Sequence, residues 1–289
     1  MSQQRAHSDP YPTPSSAERT HTQRGFTITT LKLPILKAGP IDAMSARLGI
    51  PIPEMIFGDN LVRITHLRTG WGITFRAESA LDTVDKTGAQ GLLQVAYAKE
   101  WSRSREQSSA ADIREVVRPY DWSYTCCYKG DETKGREGEG LVEVEEEAAR
   151  RGEKAIPIEL LKRRDPILFA DEVVLYESEL DDNGISVLSV KLRVMDQRML
   201  LLCRLFMRLD NVLIRVRDTR VYVDFEKEEV IREYTAREDK YENVKRNLFM
   251  TGLLPDDVTV ALRDSNQVAP LLPLVERKLD YANLAAAPA

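Results

Sequence analysis

The chain has 289 residues, 43% hydrophobic and 30% charged, which suits a globular protein with one sizeable core. Its 41 basic and 46 acidic side chains leave a net charge of −5, so no global basic face draws it to nucleic acid or an anionic membrane, and neither is expected as a partner. Three cysteines, the adjacent Cys126 and Cys127 and the distant Cys203, cannot build a disulfide framework and fit a reducing compartment, cytoplasmic or also nuclear.

In chain order, residues 1–24 are rich in Ser, Pro, Thr, Gln and His and read as a disordered tail with no apolar leader. A single domain is expected over 25–280. Ser79-Ala80-Leu81-Asp82 resembles a helix start, and Leu92–Arg105 has helical spacing at Leu92, Val95 and Ala96. A Gly-, Glu- and Lys-rich stretch near 130–151 reads as a flexible loop, centred on Gly130–Gly140, in which only Leu141, Val142 and Val144 could anchor a strand. Asp165-Pro166 has the form of an N-cap followed by proline at the first helical position.

From about Asp171 to Tyr234 the pattern changes to a long meander. Val173–Tyr176 joins Ile185–Met195 through the turn formers Asp182-Asn183-Gly184. Leu188, Val190, Leu192 and Val194 alternate with polar neighbours, the period of a strand with one face in the core. Met199–Leu209 alternates likewise, and Leu200 and Leu202 on its other face predict an end buried on both sides. No apolar run approaches the roughly 18 residues of a membrane helix; the longest, Met199–Leu205, contains Arg204. Asp210-Asn211 reads as a two-residue hairpin turn into a strand at Val212–Val216, followed by strands at Val221–Phe225 and Ile231–Tyr234. Thr235-Ala236-Arg237-Glu238 has the form of a capping box, with Tyr241, Val244 and Leu248 on one helical face behind it. Leu254–Val275 reads as one or two short helices, and 281–289 as a frayed end. The fold class is α+β: two layered antiparallel sheets, flanked by short helices and turns.

The chemistry is defined first by what is missing. Of the three histidines, His7 and His21 fall in the tail and His66 stands alone. No CxxC pair, phosphate-binding glycine loop, nucleophile elbow or HExxH is present, so no metal, cofactor or catalytic residue is assigned and the chain does not read as an enzyme. The acidic pairs Asp171-Glu172 and Asp181-Asp182 read as solvated strand ends or turns, with a carboxylate dyad as the sharper alternative. Cys126 and Cys127 would point to opposite faces of a strand, and Trp122 and Tyr124 read as core aromatics. Arg204, Arg208, Arg215, Arg217 and Arg220 make one end of the meander basic, either a polar strand face or a site for an acidic peptide.

Six blocks go further: EMIFGDN at Glu54–Asn60, RPYDWSYT at Arg118–Thr125, YKG at Tyr128–Gly130, GISVLSVKLRVM at Gly184–Met195, DNVLIRVRDTRVY at Asp210–Tyr222 and REYTARE at Arg232–Glu238. In this order and with these gaps the chain, from Phe26 to Phe249, resembles the TIPRL family, the TOR signalling pathway regulator-like, type 2A phosphatase-interacting proteins. The resemblance implies layered antiparallel sheets and a non-catalytic regulator. It would bind catalytic subunits of type 2A-like phosphatases, inhibit or remodel them, and act in TOR signalling. A cleft would receive the phosphatase's extended C-terminal tail, while other surfaces meet its active-site face. Ile156 and Asp218 match family cleft positions, whereas Ser79 replaces an Asp and Val216 a Met. On this reading Asp218 accepts hydrogen bonds from the tail and Ile156 and Val216 supply apolar wall. Arg215 and Arg220 are added here as candidates to steer acidic groups. The chain is expected to act as a monomer. A small-ligand-binding or cupin-like β-sandwich, and a scaffold for other signalling partners acting through the acidic loop around Gly130–Gly140, are the alternatives, and Glu143–Glu147 reads as a solvated edge or loop with a contact for a basic partner as the sharper reading.

Overall fold

The computed structural model describes residues 17–87 and 120–285. The chain builds two antiparallel sheets, here with strands numbered along the sequence. The first contains, in spatial order, β1 (Glu18–Gln23), β2 (Phe26–Leu31), β4 (Leu61–His66), β5 (Gly72–Arg76) and β6 (Asp131–Thr133). The second contains β3 (Met55–Ile56), β8 (Phe169–Ser178), β9 (Gly184–Val194), β10 (Arg198–Leu209), β11 (Leu213–Asp224), β12 (Glu229–Lys240), β13 (Leu274–Asn283) and β7 (Val142–Glu143). The expected meander is β8 to β12, and β13 extends it by one strand. The helices are α1 (Ala38–Leu48), α2 (Ala77–Asp82), α3 (Glu146–Arg150), α4 (Ile158–Leu161), α5 (Tyr241–Met250), α6 (Pro255–Ala261) and α7 (Ser265–Val268).

Period-two patterning decides which side of each strand is covered. On β10, Met199, Leu201, Cys203, Leu205, Met207 and Leu209 all point into the layer between the sheets, where they meet Phe26, Ile28, Ile64, Trp71 and Phe75 of the first sheet. Each such side chain contributes about 1.5–3 kcal/mol on burial. The outer face of the second sheet carries two smaller covers. Helices α5 to α7 pack Val244, Leu248, Val258 and Val268 on Phe206, Ile214 and Val216. Ile156 and Leu161, before and within α4, pack with Leu200, Tyr222, Ile231 and Leu279. The doubly covered part of β10 is therefore Phe206, while Leu200 and Leu202 are only half-buried. Their hydrophobicity alone does not show where the helices land.

Several local readings are corrected by tertiary contacts. The tail is not free up to Arg24: Glu18–Gln23 pairs with Phe26–Leu31 along its whole length. Arg19 lies over Phe169 and forms an ion pair with Asp171, and His21 stacks on Phe169. Polar residues suffice there because an edge strand needs backbone partners more than buried side chains. Asp171 is no solvated strand end either; its covered carboxylate accepts from Thr30 and pairs with Arg19 and Lys32. Thr235–Glu238 is not a helix cap. It lies inside β12, where ladders on both sides override the local signal, and the helix begins only at Tyr241. Asp165-Pro166 opens no helix, because the Asp165 carboxylate binds the Arg198 guanidinium instead.

Gly130–Gly140 is partly ordered. Asp131–Thr133 is a strand, and Glu132 accepts from the Trp71 indole and from the Leu141 backbone at 2.9 and 2.6 Å. The end is not frayed from 281: Ala282 and Leu284 are buried, and β13 pairs to Asn283. The hairpin between β10 and β11 has three loop residues, Asp210, Asn211 and Val212, with Leu209 facing Leu213 and only Asn211 at positive φ. Gly184 is not in the preceding turn but opens β9, where any Cβ would collide with the Arg208 carbonyl. The helix expected at Leu92–Arg105 lies outside the described residues.

Candidate functional site

The outward side chains of β11 are, in order, Ile214, Val216, Asp218, Arg220 and Tyr222. The first two lie under α5 to α7, and Tyr222 lies in the Ile156 cluster. Between these covers a polar band is left, and Val216 and Tyr222 are about 20 Å apart along an extended strand. Register extends the band across the sheet. Ser189, Arg204, Asp218, Thr235 and Arg277 form one row from β9 to β13, and Leu202, Arg220, Glu233 and Leu279 form the next. Val216 and Ile156 thus belong to the two apolar clusters that flank this band, with Asp218 between them.

The band carries a continuous chain of ion pairs. Arg204 donates Nε and Nη2 to the two oxygens of Asp218 at 2.7 and 2.8 Å. Arg220 donates Nη2 to Asp218 Oδ2 at 2.7 Å and Nη1 to Glu233 at 3.3 Å. Arg277 donates Nε to Glu233 at 2.8 Å. Arg204 is further held by Ser265 and Asn266 of α7. Two carboxylates serve three guanidiniums, so the band keeps one positive charge. Exposure is graded: the Asp218 side chain is 2% exposed, Arg204 12% and Arg220 30%.

This geometry gives each expected residue a definite place. Both Asp218 oxygens are covered and accept from Arg204 and Arg220, which the carboxylate holds side by side. Arg220 is placed where it can meet an acidic group. Arg215 is not. It points to the opposite face, buried, with Nε on Glu238 at 3.1 Å, Nη1 on Thr125 at 3.3 Å and Asp121 at 3.7 Å. Burial pulls its pKa below the ordinary arginine value against the raising effect of Glu238 and Asp121. Burial pushes the Glu238 carboxyl up, but the hydrogen bond from Arg217 and the charge of Arg215 outweigh it and hold it below the usual range. Ser79 lies on α2, whose Ala77, Ala80 and Leu81 pack into the interlayer core, and no hydrogen bond or ion pair among the described residues joins it to the polar band.

Other candidates take structural places. Trp122 and Tyr124 are buried in the core. Cys126 is buried and Cys127 exposed, the expected division, although the segment pairs with no strand. Burial pushes the Cys126 thiol up to about 11 and also raises that of Cys203 well above the ordinary thiol value, which disfavours the reactive thiolate. His66 is buried against Phe26, with Nδ1 on Thr69 at 3.0 Å. Sequence reading placed Arg204 in the basic cluster but missed Glu233 and Arg277, which the β11–β12 and β12–β13 registers bring to the band.

A family model, the TIP41-like family, matches residues 55–245. The chain belongs to the TIP41-like family. It is 37% identical over 271 residues to a Saccharomyces cerevisiae protein named Type 2A phosphatase activator TIP41, covering 88% of this chain and 72% of the relative. It is 43% identical over 217 residues to the Homo sapiens TIP41-like protein, covering 74% and 75% of the two chains. A third relative, Type 2A phosphatase activator tip41 of Schizosaccharomyces pombe, is 30% identical over 258 residues, 89% of this chain and 95% of that one. The TIP41-like match spans β3 to the first half of α5, and so includes Asp218, Arg220 and Glu233 but not Arg277.

Proposed function

We propose that this protein is a non-catalytic regulator that binds catalytic subunits of type 2A-family protein phosphatases and modulates or inhibits them, in connection with TOR signalling. The extended C-terminal tail of the catalytic subunit lies in the cleft between the Ile156 and Val216 walls. The names of the yeast relatives support the partner class. The observation that carries the mode of binding is the Arg204–Asp218–Arg220–Glu233–Arg277 chain, a floor with one unbalanced positive charge between two apolar walls.

An extended tail offers little area, so affinity must come from a few anchors and a charge match. The partly exposed Arg220 meets a carboxylate of the tail, while Asp218 keeps the two guanidiniums from repelling each other. Apolar tail residues lie against the Ile156 and Val216 clusters. The test is titration of the purified chain, and of Arg220→Glu, against a type 2A catalytic subunit. Wild-type binding is expected, with Arg220→Glu weaker by at least about tenfold, because it sets like charges together in a partly desolvated contact. Absence of binding by the wild type would overturn the reading.

A further inference from the structure

Beyond the cleft, toward the start of β10, the outer face of the second sheet changes character. Arg198 stands there with its side chain only 5% exposed. It gives Nη2 to Asp165 and leaves Nε without an acceptor among the described residues. A buried donor in this state favours an incoming acceptor. Three more arginines gather around it. Arg193 points outward on β9 opposite Leu200, which sets it diagonally across from Arg198, about 7–8 Å away. Arg163 and Arg164 sit in the loop that Asp165 pins to Arg198.

These three are exposed and have no ion pair among the described residues, because the neighbouring carboxylates are engaged elsewhere. Glu159 holds Lys162, Glu172 holds Lys191 and Asp165 holds Arg198. Beside them Ile167 and Leu168 are about half exposed. On a chain of net charge −5 this is a local inversion of sign. Such a patch fixes where an acidic partner docks and speeds its approach.

We propose that this end of the outer face is a second binding subsite, taking the carboxylates of an acidic protein segment, with Ile167 and Leu168 as its apolar contact. An anionic lipid surface fits less well, since the exposed Glu159 and Glu172 stand on the rim of the patch. Arg198 and Arg204 lie six residues apart on β10, about 20 Å, with the Ile156 cluster on Leu200 between them. The subsite stands whether or not the cleft takes a phosphatase tail.

The test is fluorescence anisotropy of labelled hexaglutamate titrated with the full chain at low and physiological salt. Saturable binding that weakens with salt is expected. The double variant Arg163→Glu/Arg164→Glu should lose about tenfold or more and Arg193→Glu several-fold, with unchanged melting temperatures because the side chains are exposed. Arg246→Glu, a cation on α5, should change little. No salt-sensitive binding by the wild type, or undiminished binding by the double variant, would overturn the proposal. So would arginine-dependent capture by phosphatidylserine vesicles without hexaglutamate binding, which would assign the patch to lipid.

Discussion

Replacing Asp218 by Ala tests whether this residue organises the cleft or contacts the partner. In the folded protein its carboxylate is 2% exposed and satisfies Arg204, itself 12% exposed, through two hydrogen bonds, and Arg220 through a third. Removing it leaves two adjacent guanidiniums without their shared counter-charge. Breaking a buried pair from one side costs about 3–5 kcal/mol. For a chain of this size each kcal/mol is worth roughly 2–4 °C, so the melting temperature should fall on the order of 10 °C. Asp218→Asn keeps the shape and one acceptor and should fall less. Arg220→Ala removes a partly exposed group and should cost only about 1 kcal/mol. Thermal melts by circular dichroism measure the first effect, and titration of each folded variant against a type 2A catalytic subunit the second. If Asp218→Ala melts with the wild type yet loses binding, the carboxylate serves the partner directly, and the positioning role drawn from its saturated oxygens is wrong.

Removing residues 1–24 should lower the melting temperature clearly, because it deletes β1 and the Arg19–Asp171 and His21–Phe169 contacts, whereas removing only 1–16 should not; equal melts for all three chains would show that β1 contributes nothing. Arg215→Ala should be strongly destabilising, by about 3 kcal/mol or more, since it removes the guanidinium paired with the buried Asp121 and one of the two held by Glu238; a loss of partner binding with unchanged stability would instead place Arg215 in the interface. Burial lowers the His66 pKa, only partly offset by Glu228, so the unfolded chain takes the proton first. Stability present above the unfolded value of about 6.5 is therefore lost as pH falls below it; His66→Gln should flatten the melting temperature between pH 7 and 5, and an unchanged slope would assign the dependence to other groups.

Much of the architecture is legible in the sequence because strands advertise themselves by period. Leu188 to Val194 and Met199 to Leu209 alternate so regularly that their inner faces follow without further information. What is not legible depends on register. A two-residue turn at Asp210-Asn211 would set Arg204 opposite Arg217, like charge against like, and exchange the faces of β11. The observed three-residue loop, with Asn211 at φ 62°, sets Arg204 opposite Asp218 and creates the ion-pair floor. That opposition was available as a criterion for choosing the loop length. Glu233 reaches Arg220 through the β11–β12 register, and Arg277 was beyond such reasoning, because β13 follows a run of short helices and its pairing with β12 has no sequence-local signal. Thr235–Glu238 misled for a related reason: a helix-capping pattern is worth about 1 kcal/mol, less than the two ladders that claim the same residues.

The most direct measurement of the central claim is a paired titration of the full chain against an intact type 2A catalytic subunit and the same subunit lacking its C-terminal tail, repeated with Arg220→Glu. A tail held in the cleft predicts that deleting it weakens the wild type by at least about tenfold, roughly 1.4 kcal/mol, and that Arg220→Glu adds little further loss once the tail is gone. Equal affinity for the intact and tail-less subunits would contradict the account, as would an Arg220→Glu defect of the same size on both.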